Sequence, residues 1–251
     1  TTMTPPQPPL SWPALLDELG VWASIRDSRS SPYAHMHVWD AESGAAIHFD
    51  AANEGRDLLG HIVENSLVQW RLWLALDAAG VQRLCPAEVK GFEAQEDRIQ
   101  LDLADGRSIA ARLLVAADGA GSPLRKLAGI GTRGRDYAQR AVVAHVRTER
   151  PHEGTAWQRF LPDGPLALLP LADGRSSIVW SLPEDEAKRV LALDDAAFLA
   201  ELGTASDFRL GRIVGATKRA AFPLKLQLAE TYQAERFVLL DLKVTAEQLA
   251  K

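Results

Sequence analysis

The residues best arranged for chemistry run Leu113-Leu114-Val115-Ala116-Ala117-Asp118-Gly119-Ala120-Gly121-Ser122-Pro123-Leu124-Arg125. A continuous apolar run of this kind reads as a strand covered on both faces, and here it ends on a carboxylate. Gly119 and Gly121 permit a tight turn and close approach of another group to the backbone. Ser122 suits a helix N-cap, Pro123 the first helical position, and Gly129 the end of a short helix. A carboxylate at the carboxyl end of a parallel-type strand, facing a helix N-terminus, is where α/β folds bind nucleotides. Asp118 then accepts from ribose hydroxyls, while helix N–H groups and Arg125 face phosphate oxygens. The same residues also fit an ordinary strand–turn–helix junction with a surface aspartate, and spacing alone leaves both readings open.

Other patterns carry less. Gly129-Ile130-Gly131-Thr132-Arg133-Gly134 matches the dinucleotide spacing G-x-G-x-x-G, with Glu149 downstream. It follows a short helix and precedes a strand-like stretch at 141–147, so no helix N-terminus points at a phosphate and no dinucleotide is expected there. His35, His37 and His48 lie on expected strands without a carboxylate-rich helix partner. They read as core or surface residues; no metal site and no Ser/His/Asp triad is expected.

The elements that must position these residues are mixed. Residues 14–25 have helical spacing interrupted by Gly20, and 35–39 with 46–49 read as a hairpin. Residues 62–79 are apolar-periodic and end at Gly80, a buried helix with a glycine stop. Strands follow at 88–94, 98–103 and 108–117, then at 141–147, 156–160, 166–171 and 176–182. Residues 184–202 read as one helix, 209–220 and 236–240 as strands, and Thr245 to Gln248 as a capping box opening a last short helix. The central meander, about 135–228, reads as an antiparallel sheet forming its own lobe.

Composition bounds the function. The 251 residues carry 28 Lys+Arg against 33 Asp+Glu, a net charge of −5, which offers no electrostatic reason for a nucleic-acid or anionic-membrane partner. Apolar residues at 47% and charged residues at 24% exclude a disordered chain. The single cysteine, Cys85, excludes an intrachain disulfide framework and suits a reducing compartment. Apolar runs are broken well before a membrane span, and the N-terminus lacks the pattern of a signal peptide. A cytoplasmic globular protein is expected.

At the Asp118 turn the chain resembles the flavin-dependent aromatic hydroxylases, specifically those of ubiquinone biosynthesis. Ala117 to Arg125 is similar to that family's internal Asp-Gly motif. Four other stretches are similar to the ubiquinone branch: Leu19-Gly20-Val21-Trp22, Gly60-His61-Ile62-Val63-Glu64-Asn65, the run 157–170 from Trp157 to Pro170, and Glu235-Arg236-Phe237-Val238-Leu239-Leu240. They fall in the right order from residue 14 to 240, far more specific than the Asp-Gly pair alone.

The resemblance implies a mixed α/β fold, with a Rossmann-type FAD-binding domain, incomplete in this chain, interleaved with an antiparallel β-sheet substrate domain. The implied bounds are 1–134, 135–228 and 229–251, the last returning to the FAD-binding domain. It implies FAD, reduced by NAD(P)H, with O2 captured at the flavin and oxygen transferred to the ring of a polyprenylated phenol. The rivals are a hydroxylase of a soluble small aromatic and a non-catalytic lipid-binding or scaffold relative lacking FAD. The implied cofactor contacts are Asp118, Gly119, Arg125, Asn65 and Glu64, with Asp241 in roughly the right place; Glu64 and Asn65 also fit a helix cap, and Arg71 faces phosphate or solvent. Gln158, Arg159, Phe160, Pro170 and Trp180 are the substrate-side residues, alternating on one face of the sheet or serving as its core. Other ubiquinone-biosynthesis proteins are implied partners, and so apolar a substrate implies peripheral proximity to a membrane.

The chain departs from the family twice. No G-x-G-x-x-G stands before residue 60, and Leu240 runs into Asp241-Leu242-Lys243-Val244 without the family's glycine. These gaps read as joins between pieces of a longer protein, or as a fragment that cannot hold FAD.

Overall fold

The computed structural model describes residues 12–240. Helices α1 (Trp12–Glu18) and α2 (Trp22–Arg29) precede strands β1 (Ser31–Tyr33), β2 (His35–Asp40) and β3 (Ala46–Asp50). Strand β4 (Gly60–Ile62) leads into helix α3 (Asn65–Ala78). Strands β5 (Val89–Ala94), β6 (Ile99–Leu103), β7 (Ser108–Ala111) and β8 (Leu114–Ala116) come before the short helix α4 (Pro123–Leu127). Next are β9 (Thr132–Thr148), β10 (Thr155–Leu161), β11 (Gly164–Pro170) and β12 (Ser176–Pro183), then helices α5 (Glu184–Ala192) and α6 (Asp195–Ala205). Strands β13 (Ile213–Ala216), β14 (Ala220–Ala229), β15 (Gln233–Ala234) and β16 (Phe237–Leu239) complete the described chain. Among the described residues no helix is long and apolar enough to cross a membrane. The expected capping box at Thr245 and the candidate Asp241 lie outside the described residues.

Contacts divide the described residues into two units, one holding those through Gln82 together with Gln139–Phe222, the other Arg83–Ala138 together with those from Pro223. The bounds implied by the resemblance put residues 12–82 elsewhere; here they group with the central strands.

The first unit is built on one large sheet, ordered β13-β9-β12-β11-β10-β2-β3. The expected central meander is present and antiparallel, but β2 joins β10 in parallel, so the sheet as a whole is mixed. The expected hairpin 35–49 is therefore its edge rather than a separate element, with β3 paired to β2 alone. Side chains alternate across the sheet. One set, with Val142, Leu166, Leu168, Ile178 and Trp180, packs against Ala187 and Val190 of α5 and Phe198 and Leu202 of α6. The expected single helix 184–202 is broken because Leu193 is extended (φ −60°, ψ 147°) and the Asp194 carboxylate caps α6 by accepting from the Ala197 N–H at 2.8 Å. Helix α3 is half-buried, not buried: Leu67 joins Leu16 and Ile25 in a small core, while Trp70 and Leu74 are exposed.

The second unit holds the antiparallel meander β5-β6-β7 and a small sheet in which β8 runs parallel to β16. Ala116, Ile130, Phe237 and Leu239 form its core, with Phe92 stacked on Phe237 at 5.4 Å. Leu113 and Val115 are 49% and 47% exposed, so β8 is covered on one face only, contrary to the expectation from its apolar run.

The glycine pattern 129–134 is likewise explained by packing. The chain passes from α4 into β9, a strand, as the sequence pattern predicts. A Cβ on Gly131 would meet the Glu230 carboxylate, and one on Gly134 would sit on the Leu226 carbonyl. Gly131 leaves room for that side chain and Gly134 for a neighbouring backbone. Gly134→Ala is expected to destabilise the protein by about 1–3 kcal/mol or more, since backbone must move. Gly121→Ala, where a Cβ meets nothing within 4 Å, should cost less than about 1 kcal/mol, both variants being read by urea titration.

Candidate functional site

The Asp118 turn belongs to the second unit and forms as its sequence dictates. Strand β8 pairs with β16 residue by residue, Leu114 with Phe237 and Ala116 with Leu239, and the Leu240 N–H extends the ladder to the Ala116 carbonyl at 2.8 Å. The chain then turns at Gly119, whose φ of +83° favours glycine. Ser122 is the expected N-cap: its Oγ accepts from the Arg125 N–H at 2.9 Å and donates to Asp118 Oδ1 at 2.5 Å. Asp118 Oδ2 accepts from the Leu124 N–H at 3.1 Å. The exposed carboxylate is thus held at the start of α4 by two bonds, leaving lone pairs for an outside donor. A Cβ added to Gly119 or Gly121 would meet nothing within 4 Å, so open backbone faces outward beside that carboxylate. This shape and donor set fit a nucleotide approaching the turn.

Arg125 stands differently. It is only 8% exposed, and its Nη1 donates to the Ile130 carbonyl at 2.8 Å, while the Ile130 N–H returns a bond to the Arg125 carbonyl. The side chain fastens the end of α4 and is directed inward, not toward an external phosphate.

Glu64 and Asn65 lie in the first unit, at the start of α3. Glu64 occupies the N-cap position without a side-chain cap, and its carboxylate lies 3.3 Å from Arg29 Nη2. Asn65 is exposed at the first helical residue, where its amide is accessible. Arg71 donates through Nη2 to Ser28 Oγ at 2.9 Å, an intramolecular use for the group proposed to face phosphate or solvent.

The five substrate-side residues do not share a face. Gln158 and Phe160 are on the side of the sheet away from α5 and α6, with Gln158 paired in register to Ala167 and Val38. Gln158 is 5% exposed, an amide in a cross-strand row whose other members include Val38, Ala167 and Val179. Arg159 points to the helix side, where Nη1 donates to the carbonyls of Thr204 and Ala205 at 3.1 and 3.0 Å. It satisfies the last turn of α6, a structural use. Trp180 is in the helix-side core and borders a cleft of about 340 Å³ with Leu161, Leu182 and Glu201. Pro170, nearly fully buried, is in strand register with Leu166 and Leu168 on that same side.

The sequence reading missed a histidine cluster. In the β2–β3 register His35 opposes Asp50 and His37 opposes His48, which brings ligand atoms of His35, His48 and Asp50 within 4.8 Å of one another. The missing carboxylate partner was on the next strand, not on a helix, and the hairpin spacing alone pointed to it. His37 is engaged separately. Arg209 donates Nη2–H to His37 Nε2 at 2.8 Å, and its guanidinium lies 5.4 Å from the Trp39 ring and 5.7 Å from that of Trp157. Since arginine only donates, that imidazole nitrogen is unprotonated. Burial first, then the Arg209 charge and His48, hold the His37 pKa below its usual range.

Residues 14–240 match a family model described as the FAD binding domain. Over 220 residues the chain is 36% identical to 3-demethoxyubiquinol 3-hydroxylase of Escherichia coli, covering 87% of this chain and 56% of that protein. It is 36% identical over 226 residues to ubiquinone hydroxylase UbiL of Rhodospirillum rubrum, covering 90% and 52%. With ubiquinone biosynthesis monooxygenase COQ6 of Danio rerio the identity is 38% over 202 residues, covering 76% and 42%. The chain spans about half the length of these curated relatives. Pseudomonas aeruginosa PqsL, solved with 2-aminobenzoylacetate, has a TM-score of 0.75 at 18% identity, over 91% of this chain and 65% of that one. Klebsiella pneumoniae HpxO, solved with FAD and uric acid, has a TM-score of 0.64 at 20% identity, over 91% and 61%. At such identities the likeness is one of fold.

Two outcomes follow. Arg159→Met should lower stability by about 1.5–3 kcal/mol in chemical denaturation, because two helix-end carbonyls lose a charged donor. The depressed His37 pKa gives stability that is complete above the ordinary histidine value of 6.5 and lost as pH falls below it. Urea midpoints measured at about pH 7.5 and 5.5 should therefore differ less in His37→Gln than in the unsubstituted protein. His61, also depressed chiefly by burial, supplies part of the remaining slope.

Proposed function

Because this chain belongs to the FAD-binding domain family, we propose that the protein is a FAD-dependent monooxygenase hydroxylating the aromatic ring of a polyprenylated phenol in ubiquinone biosynthesis, with NAD(P)H as reductant and O2 as oxidant. The observation that carries this reading is the identity of 36–38% with a 3-demethoxyubiquinol 3-hydroxylase, a ubiquinone hydroxylase and a ubiquinone biosynthesis monooxygenase over 76–90% of the chain. When bound, the flavin supplies the redox chemistry and the activation of O2; the protein's residues bind, orient and exclude water.

Asp118 and Gly119 are the proposed FAD contacts of the second unit. The carboxylate accepts from a cofactor hydroxyl while Ser122 and the Leu124 N–H hold it still. On the substrate side the proposal keeps Gln158 and Phe160. An apolar sheet face takes a long prenylated molecule, and one buried amide orients its polar ring. Arg125, Arg159, Pro170 and Trp180 support the fold in this reading. So apolar a substrate supports peripheral proximity to a membrane, and the family resemblance supports a cytoplasmic enzyme that associates with other ubiquinone-biosynthesis proteins.

Two measurements test the proposal. FAD added to the purified protein should give a yellow complex with quenched flavin fluorescence, and Asp118→Ala should weaken it by about 10- to 100-fold, the value of one charge-assisted hydrogen bond. Absence of any flavin complex would favour the scaffold rival. Expression in a strain deficient in a ubiquinone-ring hydroxylase should restore quinone, measured by chromatography. Flavin binding without rescue would favour a soluble aromatic substrate.

A further inference from the structure

We propose that His35, His48 and Asp50 form a binding site for a divalent transition-metal ion of the zinc type at the edge of the large sheet. The site is independent of the flavin reading. Its ligands come from two paired strands, so their spacing is fixed by a ladder rather than by loops: His35 faces Asp50 directly, and His48 is two residues before Asp50 on the same face. The ligand atoms already lie within 4.8 Å of one another. Zinc bonds of about 2.0–2.2 Å bring ligand atoms to about 3–3.5 Å apart, a closure that side-chain rotation provides without backbone movement.

Three further observations point the same way. His35 Nδ1 is buried and has no hydrogen-bond partner among the described residues, and Asp50 Oδ2, at 3.7 Å, is too distant to serve as one. Such a nitrogen is costly to leave unmatched, and a metal bond would match it. The Asp50 carboxylate is also oriented from behind, because Oδ1 accepts from the Ala52 N–H at 2.9 Å and leaves Oδ2 toward the histidines. This is the outer hydrogen bond that metal-ligating carboxylates commonly have. Finally, the His35 and His48 rings are stacked, 5.8 Å between centroids and 19° between planes, while His48 is exposed, so an ion has a route from solvent and room for water as a remaining ligand. Two imidazoles and one carboxylate select zinc, copper, nickel or iron over calcium or magnesium. His37, on the same face, is excluded as a ligand because its Nε2 is held by Arg209.

Zn²⁺ alone, titrated into the EDTA-stripped 251-residue chain at neutral pH against a chromophoric chelator, reads the site directly. One ion per chain with a Kd of about 10 μM or tighter is expected. His48→Ala should weaken it by about 100-fold, as should Asp50→Asn, which keeps the Ala52 cap and so tests the charge even where the alanine variant folds poorly. Cys85→Ala, the exposed thiol, should bind as before. A Kd weaker than about 100 μM, unchanged affinity in His48→Ala or Asp50→Asn, or loss of binding in Cys85→Ala would each overturn the assignment.

Discussion

Alternation along β10 governs the first unit. Successive side chains of a strand leave opposite faces, so Trp157, Arg159 and Leu161 are committed to one side and Gln158 and Phe160 to the other. The helix side must be filled, because α5 and α6 close over it with Val190, Phe198 and Leu202. Once that side is core, a long cation on it needs acceptors, and Arg159 finds them in the Thr204 and Ala205 carbonyls at the end of α6. The opposite face carries a mixed set: the row Val38, Gln158, Ala167, Val179 and Val143 is apolar but for the amide, while Asp40, His145, Ser177 and Ser181 lie on the same side. A sheet sorted in this way divides the five substrate-side candidates between its two faces.

The Asp118 turn combines two demands on one carboxylate. It must help start a helix of only five residues, which has little cooperativity of its own. It must also remain exposed if it is to meet a ligand. Ser122 reconciles these demands by accepting from the Arg125 N–H while donating to Asp118, so the aspartate is positioned by the cap instead of being consumed by it. Arg125 turns inward to the Ile130 carbonyl and ties the far end of the helix to the core. The result is a stiff turn with its backbone open at Gly119 and Gly121. Preorganisation of this sort lowers the entropy lost when a cofactor is seated.

The hairpin edge follows a different logic. β3 has no strand beyond it in the sheet order, and an edge strand invites pairing with other chains. Here it carries His48 and Asp50, polar groups on the same face as the helix-covered core, with His37 braced by Arg209 over two tryptophans. The polar residues mark where the core ends. They also concentrate nitrogen and oxygen donors at a place held rigid by neighbouring strands.

The family, its Asp-Gly turn and most strands of the meander were legible in the sequence, because these depend on short-range chemistry. Ser122 and Pro123 announce a helix start, and Asp-Gly-Arg at 105–107 and 173–175 announces turns that the structure forms with the aspartate accepting from the arginine N–H. That a strand and not a helix follows the 129–134 glycine match was legible too. Tertiary structure alone decided which face each substrate-side residue takes, that Arg125 and Arg159 are spent on backbone carbonyls, and that β2 joins β10 across more than a hundred residues. Each of those outcomes depends on strand register or on which element lies across from a side chain, and pairing between distant segments leaves no trace in local spacing.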